Sequence, residues 1–180
     1  MTRQLSIRPT PAGLVPRTAM VMAAGIGKRM RPLTATRPKP LVEAAGRALL
    51  DHVFDRLRAA GVERAVVNVH YLADALEAHL RHRVRGIEVI VSDERERLME
   101  TGGGLVKARA LLGDEPFLVV NSDNFWLDGP TDAIRQLAAR WEEPSALLTL
   151  TSGAYTLDVE ETLRRLAVAG FIPGTLRTDA

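Results

Sequence analysis

The hydrophobic positions of the chain change their spacing several times, and the order of these changes predicts an α/β fold. The short apolar run TAMVMA at 18–23 is typical of a strand covered on both faces. Residues 50–57 then place apolar side chains at the i, i+3, i+4 and i+7 positions of an amphipathic helix. Gly61 stands where that helix is expected to end.

The same alternation continues to about residue 150. Strand-like apolar runs follow at 63–70, 87–93, 116–123 and 145–150. Helical spacing is found at 72–83, at 104–113 and at Ile134, Leu137, Ala138 and Trp141. Strands that alternate with helices of this length predict a mainly parallel sheet with helices on both faces. In such sheets, ligands bind beyond the carboxyl ends of the strands, near a reversal in strand order.

The composition narrows the class of protein. The chain has 180 residues with 46% hydrophobic side chains, enough for one domain that buries about 70% of its unfolded surface. A formal net charge of +2 and 4% aromatic residues do not favour nucleic-acid binding, which needs a cationic face with stacking side chains. No apolar run reaches the ~18 residues of a membrane span, and the chain has no cysteine for disulfides or thiolate metal sites. We therefore expect a cytoplasmic protein without membrane or nucleic-acid partners.

The two ends of the chain differ from its middle. Residues 1–17 contain three arginines, three prolines and no acidic residue, which predicts a disordered N-terminal extension. Residues 151–180 form an atypical tail, in which Asp158 and Glu161 have the spacing of a helix capping box. The predicted domain therefore spans 18–150.

An irregular cationic stretch follows the first predicted strand. Residues 22–41 read MAAGIGKRMRPLTATRPKPL. A dinucleotide-binding fingerprint would need a third glycine at the position of Met30, and a Walker loop would need glycine at Met22 and serine or threonine at Arg29. The remaining interpretation is a loop whose glycines and cations bind a polyphosphate, and the alternative is a tight turn with solvated cations.

Longer motifs resolve this choice through a resemblance. AAGIGKRMRPLT followed by RPKPLV resembles the signature of sugar-1-phosphate nucleotidyltransferases, and NVHYLAD, ETGGGLVKA and FLVVNSDNFW follow in the order of that family. The small bacterial N-acetylmuramate-1-phosphate uridylyltransferases are the group it resembles most, over residues 18–150. The resemblance implies a three-layer, Rossmann-like nucleotidyltransferase fold of the GT-A-like type with a mainly parallel sheet, truncated at its C-terminal end.

The resemblance also implies a reaction and a set of site residues. A nucleoside monophosphate, UMP in the group named, is transferred from a nucleoside triphosphate to a sugar-1-phosphate, and pyrophosphate is released. Arg29, Lys39 and Asp123 are the implied catalytic residues, with Asp123 as a Mg²⁺ ligand. The implied nucleotide-binding residues are Ala23, Ala24, Gly25, Gly27, Lys28, Glu100, Thr101, Gly102, Gly103 and Asn121.

Several alternatives stay open. Mannose-1-phosphate guanylyltransferase is the nearest other activity, and a catalytically silent nucleotide-binding module is the alternative of another class, because a second metal aspartate is not recognised in the tail. Asn68 and His70 are expected on one side of a strand near the substrate, although a histidine bonded to the backbone explains His70 equally well. An exposed sheet edge predicts self-association.

Overall fold

The computed structural model describes residues 14–126, 128 and 132–139 and the backbone of 148–150. Seven strands and four α-helices lie within this part of the chain. In chain order they are β1 Thr18–Met22, β2 Glu43–Ala44, β3 Arg47–Ala48, α1 Leu49–Ala60, β4 Arg64–Val69, α2 Ala73–Arg83, β5 Glu88–Asp93, α3 Thr101–Leu112, β6 Phe117–Asn121, α4 Ala133–Ala139 and β7 Leu148–Leu150. Two short 3₁₀ turns, Lys28–Met30 and Lys39–Leu41, lie between β1 and β2.

The central sheet is parallel and reverses its strand order at β1. Its strands lie in the order β5-β4-β1-β6-β7, with every neighbouring pair parallel. After β1 the chain builds outward to β4 and β5, and it then returns to the other side of β1 to form β6. The loops after β1 and β6 therefore leave the sheet in opposite directions and open a crevice at its carboxyl edge. The predicted parallel α/β sheet is confirmed.

Apolar side chains cover both faces of the sheet. Helices α1, α2 and α4 pack on one face, where Val21, Val67, Leu118 and Phe54 belong to one large buried cluster. Helix α3 packs on the other face against a smaller cluster that includes Met20. Successive residues of β1 point to opposite faces, so both faces of this strand are apolar, as its continuous hydrophobic run predicts.

Helix α1 ends as its sequence predicts. Gly61 has φ 96°, and its amide donates to the carbonyl oxygens of the last helical turn. This left-handed conformation is inexpensive only for glycine. The β2–β3 hairpin that precedes α1 has no counterpart among the predicted elements, because two-residue strands are too short to show an alternating pattern.

Helix α3 begins at Thr101, three residues earlier than the helical spacing at 104–113 predicts. Three consecutive glycines are poor helix formers, each about 1 kcal/mol worse than alanine. Tertiary packing overrides this preference, since Gly104 is buried against Glu94 and Asn68 and its amide donates to the carbonyl of Glu100 at 2.8 Å. The lack of a side chain at Gly104 lets the first turn of α3 lie directly on the ends of β4 and β5.

Residues 14–17, the end of the predicted N-terminal extension, contact the sheet and its helices. Val15 packs against the large cluster, and the carbonyl of Arg17 accepts hydrogen bonds from the amides of Glu63 and Arg64. Residues 14–17 thus belong to the domain surface, and the rest of the predicted extension lies outside the described residues. The same is true of Trp141 and of the predicted Asp158 capping box. None of the described helices has both the length and the apolar composition needed to cross a membrane.

Candidate active site

A cleft of about 290 Å³ opens at the carboxyl edge of the sheet, where the strand order reverses. It brings together eight of the residues predicted for the site: Ala23, Ala24, Gly25, Lys39, Glu100, Thr101, Asn121 and Asp123. Asn68 also lines it. The predicted residues that do not line it are Gly27, Lys28, Arg29, Gly102 and Gly103.

A buried serine ties together the two strand ends that flank the cleft. Ser122 follows β6, and both its amide, at 3.1 Å, and its Oγ, at 2.7 Å, donate to the carbonyl oxygen of Met22 at the end of β1. These bonds hold Asn121 and Asp123 beside the beginning of the glycine loop. Ser122 was not predicted, since serine at the end of a strand is equally common in ordinary turns.

Lys39 and Asp123 form an ion pair across the cleft. The lysine lies in a 3₁₀ turn between Pro38 and Pro40, which are both buried, so its backbone is well fixed. The side chains are 25% and 30% exposed, which leaves both charged groups within reach of a ligand. The structure therefore places a cation and a carboxylate from different loops at one point of the cleft.

The two loop glycines have different surroundings. Gly27 has φ +69°, and an added Cβ would lie 3.0 Å from Thr34 Cγ2 and 3.1 Å from Lys39 Cβ. Thr34, which is fully buried, donates from Oγ1 to the carbonyl of Gly27 at 2.8 Å and closes the loop on itself. At Gly25 an added Cβ would meet no atom within 4 Å. Gly27 thus shapes the loop and supports Lys39, whereas the space beside Gly25 opens into the cleft.

The glycines of α3 also differ in the space around them. An added Cβ at Gly104 would lie 3.0 Å from Glu94 Oε1 and 3.1 Å from Asn68 Nδ2, whereas at Gly102 it would meet nothing within 4 Å. At Gly103 it would press on the flexible side chain of Met99. The ETGGG motif therefore combines a packing requirement at Gly104 with open space at Gly102.

Arg29 lies in the first 3₁₀ turn, with an exposed side chain, outside the cleft lining. Within the described residues, neither Arg29 nor the neighbouring Lys28 takes part in an ion pair. Both cations are thus available to an anion that extends from the cleft over the loop.

Asn68 and His70 have separate roles. The buried Asn68 accepts from the amide of Ala23 at Oδ1, at 2.6 Å, and lies under the cleft. His70 Nδ1 lies 2.8 Å from the carbonyl oxygen of Glu94, which can only accept, so Nδ1 carries the proton. The backbone-bonded interpretation of His70 is therefore confirmed. Glu94 itself was not predicted, and its only sequence signal is an acidic residue directly after a strand.

The acidic groups at the cleft limit what metal it can hold. Among the residues that the structure describes, no three acidic, histidine or cysteine side chains cluster as a metal site. Asp123 and Glu100 are the carboxylates of the cleft lining. Mg²⁺ usually takes one or two protein carboxylates and fills its other positions with water and substrate phosphates. This donor set fits a Mg²⁺ ion that takes most of its remaining ligands from a nucleotide and water.

A larger cavity, about 620 Å³, lies between α1, α2 and the β2–β3 hairpin. Its charged groups are largely paired with each other, as in Arg47–Asp55 at 2.7 Å and His79–Asp51 at 2.6 Å. Its lining contains none of the predicted site residues. Volume alone therefore does not identify the active site, and the smaller cleft at the strand reversal is the better candidate.

Comparison with known proteins places the chain in a family. The family model described as "Nucleotidyl transferase" matches residues 18–157. N-acetylmuramate alpha-1-phosphate uridylyltransferase of Caulobacter vibrioides is 51% identical over 152 residues, which cover 82% of this chain and 63% of that protein. Mannose-1-phosphate guanylyltransferase catalytic subunit beta of Danio rerio is 43% identical over 109 residues, or 58% of this chain and 30% of that protein. The chain thus spans less than two thirds of the length of these relatives.

Solved structures agree on the fold. The inositol-1-phosphate CTP transferase of T. maritima superposes with a TM-score of 0.59 at 27% identity, over 70% of this chain and 50% of that one. A UDP-glucose pyrophosphorylase in complex with UDP-glucose gives a TM-score of 0.61 at 20% identity, over 68% and 52% of the two chains. At 20% identity this second likeness shows the fold alone. From the family match, the parallel sheet and its cleft, we conclude that the chain belongs to the nucleotidyl transferase family.

Proposed function

We propose that this protein transfers a nucleoside monophosphate from a nucleoside triphosphate to a sugar-1-phosphate and releases pyrophosphate. The observation that carries the proposal is the meeting of Lys39, Asp123 and the backbone of 23–25 in one cleft at the strand reversal. Two of these elements suit phosphates, since Lys39 supplies positive charge and the open backbone at Gly25 permits close approach.

The reaction requires that the two phosphates are aligned and that their negative charge is neutralised. A sugar-1-phosphate oxygen is already an anion near neutral pH, so it attacks the α-phosphorus without a general base, and the bond to the pyrophosphate oxygen breaks. Among the residues that the structure describes, those that line the cleft include no histidine or cysteine, which suits a reaction of this type. The remaining barrier is the repulsion between two phosphates and the charge that develops on the leaving group.

We assign these tasks to three side chains. Lys39 contacts the α-phosphate or the incoming sugar phosphate, and it exchanges Asp123 for phosphate oxygens as the substrates bind. Arg29 neutralises the β- and γ-phosphates that extend beyond the cleft. Asp123 would hold the Mg²⁺ that accompanies the nucleotide, and this ion would supply charge neutralisation at the phosphoryl oxygens. We place the base and ribose between Ala24 on one wall of the cleft and Glu100 and Thr101 on the other.

UTP and N-acetylmuramate-1-phosphate are the substrates that we propose first. The higher identity to the uridylyltransferase of Caulobacter vibrioides, 51% against 43% for the guanylyltransferase, supports this choice. GTP with mannose-1-phosphate is the second candidate pair. An N-acetylmuramate substrate would make the protein part of cell-wall recycling in the cytoplasm, where nucleoside triphosphates are available.

The test is pyrophosphate release from UTP, GTP, ATP, CTP and dTTP with Mg²⁺ and a panel of sugar-1-phosphates. We expect release with UTP and N-acetylmuramate-1-phosphate, and about 100-fold less in Arg29→Ala and Asp123→Ala, as for loss of a charge used in the transition state. Glu88→Gln is the matched control because Glu88 pairs with Arg64 at the opposite edge of the sheet. If UTP binds but no pair of nucleoside triphosphate and sugar-1-phosphate releases pyrophosphate, the proposed transferase activity is contradicted. The protein would then be a catalytically silent nucleotide-binding module.

Self-association through a sheet edge is proposed as well. Within the described part of the chain, β7 pairs with β6 alone and β5 with β4 alone. Unpaired backbone groups at a strand edge favour pairing with another chain. Sedimentation that shows only monomer across the micromolar range would contradict this proposal.

A further inference from the structure

One fully buried carboxylate connects the two walls of the cleft. Glu94 lies directly after β5 and is 0% exposed. Its Oε1 accepts from Asn68 Nδ2 at 2.9 Å, and its Oε2 accepts from the amide of Met99 at 3.1 Å. Asn68 in turn accepts from the amide of Ala23 at 2.6 Å. The chain of hydrogen bonds therefore runs from the glycine loop, under the cleft, to the residues that precede α3.

The direction of each bond in this chain is fixed by chemistry. A backbone amide can only donate, so the oxygen of Asn68 must face Ala23 and its NH₂ group must face Glu94. The amide of Met99 also donates, so the side chain at position 94 must accept on both of its oxygens. A carboxylate meets this demand, whereas a carboxamide has one acceptor and one donor group.

The side chain of Glu94 is tightly packed. A Cβ at Gly104 would lie 3.0 Å from Glu94 Oε1 and 3.1 Å from Asn68 Nδ2, so α3 closes directly over the pair. The backbone carbonyl of Glu94 is used as well, since it accepts from His70. A buried polar group with this many partners is costly to change, because each lost partner leaves a donor without an acceptor.

We propose that Glu94 is a positioning residue of the nucleotide site, which acts through Asn68 to hold Ala23 and the segment 99–100 at a fixed separation. This inference rests on the proposed function for its nucleotide ligand. Ala23 begins the wall that faces the phosphates, and Glu100 belongs to the opposite wall. A nucleotide that contacts both walls binds tightly only when their spacing is set beforehand.

The test uses Glu94→Gln, Asn68→Asp and the double variant. In Glu94→Gln an NH₂ group faces a donor, and in Asn68→Asp two carboxylates face each other. The double variant restores complementary pairing, because the introduced amide can donate to the introduced carboxylate while its oxygen still accepts from Met99. Glu88→Gln makes the same chemical change at an exposed site at the beginning of β5 and serves as the control.

We expect each single variant to weaken UTP binding about 10-fold to 100-fold, the range for a lost hydrogen bond to a charged group. The Michaelis constant should rise more than kcat falls, and amide hydrogen exchange at Ala23 and Met99 should accelerate roughly tenfold without nucleotide. Exchange at Val21, within β1, should change little. The double variant should recover most of the affinity and of the protection at Ala23.

Unchanged exchange at Ala23 in Glu94→Gln, or equal acceleration at Ala23 and Val21, would overturn the proposal. Failure of the double variant to recover affinity or protection would overturn it as well. If the unsubstituted protein binds no nucleotide, the proposed function fails, and exchange at Ala23 and Met99 still decides whether Glu94 orders the two walls.

Discussion

The ammonium of Lys39 is paired with the carboxylate of Asp123, although the two residues belong to loops that leave opposite sides of the strand reversal. The side chains of Lys39 and Asp123 are 25% and 30% exposed, so the pair is partly shielded from water. A phosphate would compete for Lys39 and a divalent cation would compete for Asp123. Binding of a metal–nucleotide complex is therefore expected to replace one internal ion pair with two interactions to the substrate.

Loss of the lysine charge should affect turnover more than stability. Lys39→Met keeps the apolar stem that packs near Gly27 and removes the cation. We expect pyrophosphate release to fall about 100-fold, equivalent to about 3 kcal/mol of transition-state stabilisation. The free energy of unfolding should change by no more than about 1 kcal/mol, as is usual for partly exposed ion pairs.

Parallel rate and denaturation measurements check this prediction. Lys107→Met is the control, because Lys107 is exposed, lies outside the cleft lining and donates to the backbone carbonyl of Asp93. A large loss of stability in Lys39→Met with proportionate loss of activity would assign the pair a structural role.

The two loop glycines should respond differently to a methyl group. Gly27→Ala places a side chain at φ +69° and within 3.1 Å of Thr34 and Lys39, so we expect a loss of about 1–3 kcal/mol in stability. Gly25→Ala meets no protein atom, so stability should stay within about 0.5 kcal/mol while nucleotide affinity falls. Thermal denaturation and UTP titration distinguish the two. Equal stability losses would show that Gly25 is also a packing position.

The glycines of α3 allow a second matched comparison. Gly102→Ala should raise stability by up to about 1 kcal/mol, because alanine is the better helix former and the site is open. Gly104→Ala should lower it by about 1–3 kcal/mol, since the methyl group presses on Glu94 and Asn68. Chemical denaturation of the two variants measures both effects. A stabilising Gly104→Ala would show that α3 can shift away from the strand ends without cost.

Stability should also depend on pH through Asp55. Burial acts to raise the pKa of this carboxyl, but the hydrogen bond and charge of Arg47 and the charge of Arg58 outweigh it, and the net shift is downward. The unfolded state therefore takes up a proton at higher pH than the folded state. The contribution of Asp55 is complete above its unfolded pKa, about 4, and is lost as the pH falls through its lower folded value.

Asp55→Asn measures this contribution. We expect the variant to be less stable than the unsubstituted protein by up to about 1 kcal/mol at pH 7, with the difference decreasing below pH 4. Melting temperatures between pH 2.5 and 7 check the trend. A difference that stays constant with pH would mean that packing of the side chain, and not its charge, accounts for it.

Most of the fold could be predicted from apolar spacing. The five strands of the central sheet and the four helices lie within a few residues of their predicted positions, because buried strands and amphipathic helices have strong periodic signals. The start of α3 could not be predicted this way. Its three glycines favour a loop locally, and only contact with Glu94 and Asn68 makes the first turn helical.

The candidate site was also predicted only in part. The motifs already pointed to the loop after β1 and to Asp123, since glycines, cations and a carboxylate after strands have direct chemical meaning. The residues that hold this loop and Asp123 in place, Thr34, Ser122 and Glu94, could not be predicted. Their residue types are common in turns, and only burial in the fold gives them specific hydrogen bonds. Their roles depend on contacts between segments that are far apart in the chain.

The sequence by itself determined the parallel α/β class and the chemistry available beyond β1 and β6, because side-chain type and hydrophobic period are local properties. The tertiary structure decided the strand order that opens the cleft, the Lys39–Asp123 pair within it and the buried Glu94 that links its walls. These features depend on which strand ends become neighbours and on which polar groups lose water. Packing of the whole domain sets the strand neighbours and the buried polar groups, so neither can be predicted from a short stretch of sequence.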